Sequence, residues 1–547
     1  MGAAPLPTAG REPGLLRAVL LVAVIAVVVY LSAIPGDFCF DDKLIQRDPR
    51  IHGQTSFWTI FVTDYWYTYI GTSADLYRPL TIASYALNYA VTGLSSPAFH
   101  AVNVGLHALF CVLLVYLLDV LLRDRSLAVV SGLLFATHPV HTEAVTGIVG
   151  RAEVLSALFL LGALYLHARD YTLKGWGQAI WLPVAGVLYF CALLSKETAI
   201  VGIGLLVVVE VTKRLRATLP GANEAGSPSR AARAAPASIR VSLGVLGLYI
   251  GVACLYVYVR FLVVGGFLQK PPAKEYYLLF GQPLLTRLLT GMKVFAIYLR
   301  LLFFPVTLSA DYSYNQVPLS HSVDSVAIAI GLLATACLGA VFAWAWTRRV
   351  IAVVFALGFF AAAYSVVSNL IVPIGVLVAE RLLYLPSVGF CVGIAWVGLM
   401  VSRRYAPLLR GSWARYAPAG VLAVVLLLYS ARTIIRNFDW SDQETLYAAT
   451  VRDSPNCHAA LFNYSAVLMQ TSKRPDRKEL ALAYLLRGYE IRRDNYPSLV
   501  NLTILYLGRG ELEQARKFAL EGLQVRPDST KLKGLLKTIE ARLPPKG

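Results

Sequence analysis

Asp41 and Asp42 stand side by side just after an apolar run that ends near residue 34. A carboxylate held there is placed to take a proton from an attacking hydroxyl. Two adjacent carboxylates repel each other, which predicts a raised pKa for one of the pair. Asp75 and Tyr77-Arg78-Pro79 close the same loop. His138, His141, Glu143, Arg151 and Glu153 crowd a second short stretch, and Lys196-Glu197 forms a third group. Asp311 and Glu380-Arg381 complete the set. Arg78, Arg151, Lys196 and Arg381 are fixed cations of the kind that stabilise charge gained by a departing phosphate. His138-x-x-His141 lacks a third ligand at fixed spacing and no CxxC occurs, so no metal site is expected. Taken alone, the Asp pair reads as loop solvation, His138 and His141 read as hydrogen-bonded to backbone, and Lys196-Glu197 and Glu380-Arg381 read as interfacial charges. Their joint placement on one face weakens those explanations.

The elements that must hold these groups are apolar helices. Of 547 residues, 57% are hydrophobic and 15% charged. A soluble chain of this size would carry about 25% charged residues. The deficit excludes a soluble enzyme, a disordered scaffold and a nucleic-acid binder, and indicates a polytopic, all-α membrane protein. Spans are predicted at 15–34, 97–122, 126–146, 150–168, 177–194, 198–212, 240–265, 323–346, 350–372, 385–401 and 417–434. Basic residues (Arg123 and Arg125, Arg169 and Lys174, Lys213 to Arg216, Arg348 and Arg349, Arg403 and Arg404) follow the even-numbered spans. That pattern predicts a cytoplasmic N-terminus over residues 1–14, an outer C-terminus, and all the ionisable groups at the outer mouth. Arg432 and Arg436 break the pattern, and the rule gives such late charges little weight. The segment 286–304 contains Arg287, Lys293 and Arg300 and is read as lying in the interface or re-entering from outside.

The spans divide into a core over 15–216, with an outer loop at 35–96, and a second half over 240–436. The Ala-, Ser- and Pro-rich stretch 217–239 reads as a disordered cytoplasmic linker. From residue 437 the composition becomes soluble. Ala481 and Ala515 are 34 residues apart, as are Gly488 and Gly522, the period of paired tetratricopeptide helices. The segment 440–453 is expected to supply a preceding half-repeat and 529–542 a capping helix. This tail reads equally as a helical cap or as a groove for a protein acceptor.

In order along the chain stand FDD, LYRPLTIASYALNYAVTG, FHAVNVGLH, HPVHTEAVTGIVGRAE, SKE, LSADYS and AERLLYLPSVGF, and then the repeats. Together they resemble the transmembrane and tetratricopeptide-repeat O-mannosyltransferases, which have the GT-C glycosyltransferase fold. The resemblance covers nearly the whole membrane region. The tail is shorter than in animal members, which with the Ala-, Val- and Arg-rich composition points to a bacterial relative. The resemblance implies inverting transfer of mannose from a polyprenyl-phosphate donor to Ser or Thr hydroxyls of extracytoplasmic proteins. It implies that Asp41 or Asp42 is the base and that no cofactor is tightly bound; the need for a divalent metal stays open. It implies an active site and repeats facing the periplasm, or the lumen of the endoplasmic reticulum in a eukaryote. Competing readings are a transferase of the same fold using another lipid-linked sugar, a transporter, and a non-catalytic membrane scaffold. Ionisable groups clustered at span ends favour the enzyme over the transporter, which would hold them near the bilayer midplane.

Overall fold

The computed structural model describes residues 12–67, 76–169, 176–218, 228–266, 278–323, 325–371, 374–405 and 416–544. Among these the secondary structure is entirely helical. Six helices are long and apolar enough to cross a membrane: Gly14–Ala33, Ser96–Leu122, Ile148–Arg169, Leu243–Val264, Val326–Thr347 and Ala417–Asp439. Arg125–Thr137, Ile180–Ser195 and Ile351–Val367 are shorter apolar helices. The chain is thus an all-α polytopic membrane protein. Helices also cover the stretches read at 198–212 and 385–401, as Gly202–Ala217 and Ser387–Tyr405.

Helix Ser96–Leu122 is the hub. It packs on the first helix, on Arg125–Thr137 and on Arg151–Arg169. Close approach relies on small residues: a Cβ at Gly132 would come within 2.5 Å of Val115. At the opposite extreme, only 6% of the apolar window of Ala417–Asp439 is buried, against 67% for Ile148–Arg169. The buried residues of that last helix, Thr433, Arg436 and Asn437, lie near its C-terminal end.

Three expectations need correction. The span read at 126–146 stops as a helix at Thr137. Pro139 disfavours helical backbone at His138, and two 3-10 turns with one short helix follow before Arg151. Part of the predicted linker is helical, because Pro228–Val264 is one helix. Its Ala and Arg residues are strong helix formers; residues 219–227 lie outside the described residues. The loop read at 35–96 contains a 14-residue helix, Pro79–Thr92, which buries Thr81, Ile82, Tyr85 and Asn88 on one face.

The stretch read at 286–304 is the helix Leu284–Phe303. Its first half is tied to two loops. Lys293 donates to the carbonyl of Pro318 at 3.0 Å and Arg287 to that of Leu370 at 3.2 Å. Near its other end, the Leu302 carbonyl lies 3.0 Å from the His138 ring.

After residue 440 come six helices, from Gln443–Asp453 to Thr530–Glu540, with their own apolar core including Leu461, Leu485, Leu499 and Leu532. The 34-residue glycine spacing has a packing cause. A Cβ at Gly522 would meet Leu532 at 2.5 Å and Leu499 at 3.4 Å.

Candidate active site

The Phe40-Asp41-Asp42 motif is one 3-10 turn. Phe40 has a φ of 55°, a left-handed conformation unfavourable for a bulky residue. The two carboxylates have different surroundings. Asp42 is buried and accepts from the backbone N–H of Cys39 at 3.0 Å and of Val149 at 2.8 Å. Burial pushes its pKa up to about 7, against the pull of those N–H groups. Asp41 is half-buried, and among the described residues its carboxylate accepts no hydrogen bond. Burial raises its pKa above the usual carboxylate range. Arg381 opposes that rise, Asp311 and Glu143 add to it, and Lys43 opposes it weakly. Those four charges are its electrostatic surroundings.

Arg381 sits in a 3-10 turn, Glu380–Leu383. Glu143 grips it twice, through its guanidinium and through its backbone N–H at 2.8 Å. The Glu143 side chain is 2% exposed and that of Arg381 25%. The anchor is therefore sealed while part of the guanidinium stays open. Burial works against the charge, but Glu143 and Asp41 raise the Arg381 pKa and keep it protonated. Glu380 is fully buried and braces the neighbouring loop, accepting from the Tyr312 hydroxyl at 2.7 Å and from the Ser309 N–H. Burial pushes its pKa up to about 7. Asp311 accepts from the Ser313 N–H at 2.8 Å, and burial raises its pKa.

A second pair of ion pairs continues the charged lining. Lys196 bonds Glu153, and Arg78 bonds Glu197 through Nε at 2.8 Å. Burial lowers the Lys196 pKa, and Arg381 and Arg78 act in the same direction. Burial alone would raise Glu197, but the Arg78 charge and hydrogen bonds hold it at about 2. Beside Glu153 lies a small cavity lined by Ser156, Thr198, Val201, Leu382 and Pro386. Arg78 also lies over the Tyr65 ring, 5.2 Å from its centroid.

Three of the residues singled out in the sequence have a different job. Arg151 is fully buried. It bonds Asn103 at 2.7 Å, Asn88 at 2.9 Å and the Phe99 carbonyl at 2.9 Å, and lies over the Tyr85 ring. His138 and His141 are buried too. His138 sits 3.0 Å from the Leu302 carbonyl and accepts from the Val140 N–H. His141 sits 2.9 Å from the Phe135 carbonyl and 2.8 Å from the Ser387 hydroxyl. These three groups brace the corner and present no open face. Asp75 lies outside the described residues.

Sequence reasoning passed over Asn103, Trp440 and Arg436. Asn103 reaches the carbonyls of Val145, Gly147 and Ile148, each at 3.2 Å, and so fixes the corner that feeds Val149 to Asp42. An Asn inside an apolar span was the available signal. Arg436 is fully buried and pairs with Asp439 at 3.0 Å.

The arrangement puts an unengaged carboxylate beside a clamped, partly open guanidinium at one end of a membrane bundle. A base for a hydroxyl and a fixed cation for a leaving anion are what group transfer from a phosphate ester requires. The fold and cluster define the class of an all-α polytopic membrane protein with a charged cluster beside its helix ends. The chain is 30% identical over 520 residues to the human "Protein O-mannosyl-transferase TMTC3", covering 92% of this chain and 54% of that protein. It is 29% identical to the fruit-fly "Protein O-mannosyl-transferase Tmtc3" over 535 residues, 88% of this chain and 56% of that protein. It is likewise 29% identical to human "Protein O-mannosyl-transferase TMTC2" over 532 residues, 83% of this chain and 60% of that protein. The protein is therefore a TMTC-like family member. It spans a little over half the length of these relatives. No family model matches it.

Proposed function

We propose that the protein transfers mannose from a polyprenyl-phosphate donor to Ser or Thr hydroxyls of proteins on the extracytoplasmic face. The hydroxyl oxygen attacks the anomeric carbon, and its proton passes to Asp41. The bond from that carbon to the phosphate oxygen breaks, and polyprenyl phosphate leaves with the electron pair. Attack opposite the leaving group inverts the anomeric centre. A phosphate departs without an acid, so one carboxylate suffices, unlike the pair a glycoside hydrolase needs. Arg381 lies on the leaving side, and Arg78 and Lys196 extend the positive lining. Asp42 sets the height of the turn through Cys39 and Val149 and takes no proton.

The observation that carries this reading is the contrast between the two neighbouring carboxylates. Asp42 is committed to backbone N–H groups, while Asp41 accepts no hydrogen bond among the described residues and Arg381 is the leading opposite charge acting on it. The names of the relatives support protein O-mannosyl transfer; the lipid donor and the inversion rest on chemistry and family resemblance. The test is transfer of radiolabelled mannose from polyprenyl-phosphate mannose to a Ser/Thr peptide by purified protein. Asp41→Asn keeps the side chain's size but loses the base, and is expected to slow turnover by about 10²–10⁴-fold. Asp42→Asn is expected to lose less. Full turnover by Asp41→Asn would remove this residue from the chemistry.

A further inference from the structure

The first helix of the tail is built into the charged cluster. Phe40, immediately before Asp41, packs its ring 6.4 Å from that of Trp440 and 6.3 Å from that of Tyr447. The same turn is stitched to the tail through its backbone. The Asp37 N–H donates to the Ser441 carbonyl at 2.8 Å, and the Cys39 thiol lies 3.6 Å from the Trp440 carbonyl. Trp440 also caps the corner, since a Cβ at Gly147 would come within 3.1 Å of its ring.

A second set of contacts holds the Asp311 loop. The Ser454 hydroxyl meets that of Ser309 at 2.7 Å. The His458 N–H donates to the Tyr314 carbonyl at 2.7 Å, and the Asn315 N–H to the Asn456 carbonyl at 3.0 Å. The Asn456 N–H donates to the Gln316 side chain at 2.9 Å. Ser309 and Tyr312 of that loop in turn hold Glu380, the neighbour of Arg381. Residues 440–458 thus touch the carriers of Asp41 and Asp311 directly, and that of Arg381 through one intermediary.

We infer that residues 440–458 position the catalytic turn: Trp440 and Tyr447, seated against Phe40, hold the Asp41 carboxylate at its working distance from Arg381. The physical need is visible in Phe40. Its left-handed backbone is an unfavourable conformation and persists only where surrounding packing enforces it. Without the two rings the turn is expected to relax and swing the next side chain, Asp41. A misplacement of about 1 Å costs about 10²-fold in rate. Asp42, tied to Val149, would stay in place.

This inference rests on the proposed transfer for its kinetic readout, so the experiment carries a second readout that does not. In the full-length protein, Trp440→Ala is expected to lower kcat for mannose transfer by about 10²-fold with donor KM little changed. Trp440→Phe should restore most of the rate. Independently of any sugar, labelling of Asp41 by a water-soluble carbodiimide is followed by mass spectrometry across pH. Arg381, Asp311, Glu143 and Lys43 face this carboxylate. In Trp440→Ala the carboxylate moves into water and its labelling midpoint should fall toward that of an ordinary Asp. If Trp440→Ala does not fold, Tyr447→Leu provides the same comparison, because Tyr447 packs on the same Phe40 ring. A kcat loss with a shifted midpoint supports positioning. An unshifted midpoint in folded variants overturns it. Wild-type protein that transfers no mannose while Trp440→Ala shifts the midpoint would overturn the proposed reaction and leave the positioning intact.

Discussion

The corner at 138–151 and the turn at 37–43 meet where the Val149 N–H donates to Asp42. The corner is the more conspicuous of the two in sequence, with two histidines, an arginine and a glutamate in 14 residues. In the structure His138, His141 and Arg151 are sealed and bonded to backbone or amide groups. Glu143 alone of these four pairs with a partly open cation, clamping Arg381. The turn is shorter and plainer, yet it holds the carboxylate that accepts no hydrogen bond. A buried polar group that is fully bonded specifies shape. One left without a partner at an accessible point is available for chemistry. Density of ionisable residues and readiness for chemistry are therefore different properties here.

That contrast breaks most easily at Arg151. Arg151→Ala leaves Asn103, Asn88 and the Phe99 carbonyl without their buried partner. It is expected to cost about 1–3 kcal/mol of stability for each stranded acceptor, the range for leaving a buried polar group unsatisfied. The check is a thermal melt in detergent. A variant that melts like the wild type would return Arg151 to the list of substrate contacts. At Arg381 the expected loss is in rate. Arg381→Ala should remove about 2–4 kcal/mol of transition-state stabilisation, and because it strands the sealed Glu143 carboxylate it should lower the melting temperature as well. Turnover within a factor of two of the parent would place the leaving phosphate elsewhere.

The smallest effect sharpens the comparison through pH. The Asp42 pKa is raised in the folded protein, from an ordinary 3.8 to about 7. Protonation therefore favours the folded state. This contribution is present in full below about pH 4 and is lost as pH rises through about 7. Asp42→Asn cannot titrate, so it should show a flatter melting temperature than the wild type across that window. Identical pH profiles would show that burial does not govern this carboxylate. For Asp41, which must be ionised to accept a proton, activity should fall with acid at a pH above the ordinary Asp range.

The all-α membrane architecture was legible because apolar runs of bilayer length leave little choice. The paired helices of the tail were legible in the spacing of Gly488 and Gly522. The FDD turn, Glu380-Arg381 and Asp311 were legible as candidates, since they converge on one end of the bundle. Backbone bonding of His138 and His141 was legible, since a pair of histidines with no third ligand at fixed spacing favours it, and both rings meet backbone carbonyls. The sealing of Arg151 was not, because sequence spacing does not say which amides and carbonyls stand opposite. Helix Pro79–Thr92 escaped notice because Thr81 and Asn88 interrupt its apolar face. Thr81 is nonetheless satisfied by the Ser195 carbonyl at 2.8 Å. Arg436 was set aside as an exception to the charge pattern, and it proves to be sealed against Asp439.

The last apolar helix has a consequence for biosynthesis. Its apolar stretch is almost wholly exposed, while its final turn carries Asn437, which bonds Thr146 at 2.8 Å and the Val29 carbonyl at 3.0 Å. Cys39 and Trp440, which meet beside the acidic turn, are 401 residues apart in the chain. A growing polypeptide therefore makes the acidic turn early and the residues that seat it last. Until the final helix has been threaded into the bilayer, the nascent protein holds Asp41 without its seat. Maturation of the pocket becomes a late event of translation, and a ribosome that stops before residue 440 leaves an inserted bundle lacking that seat.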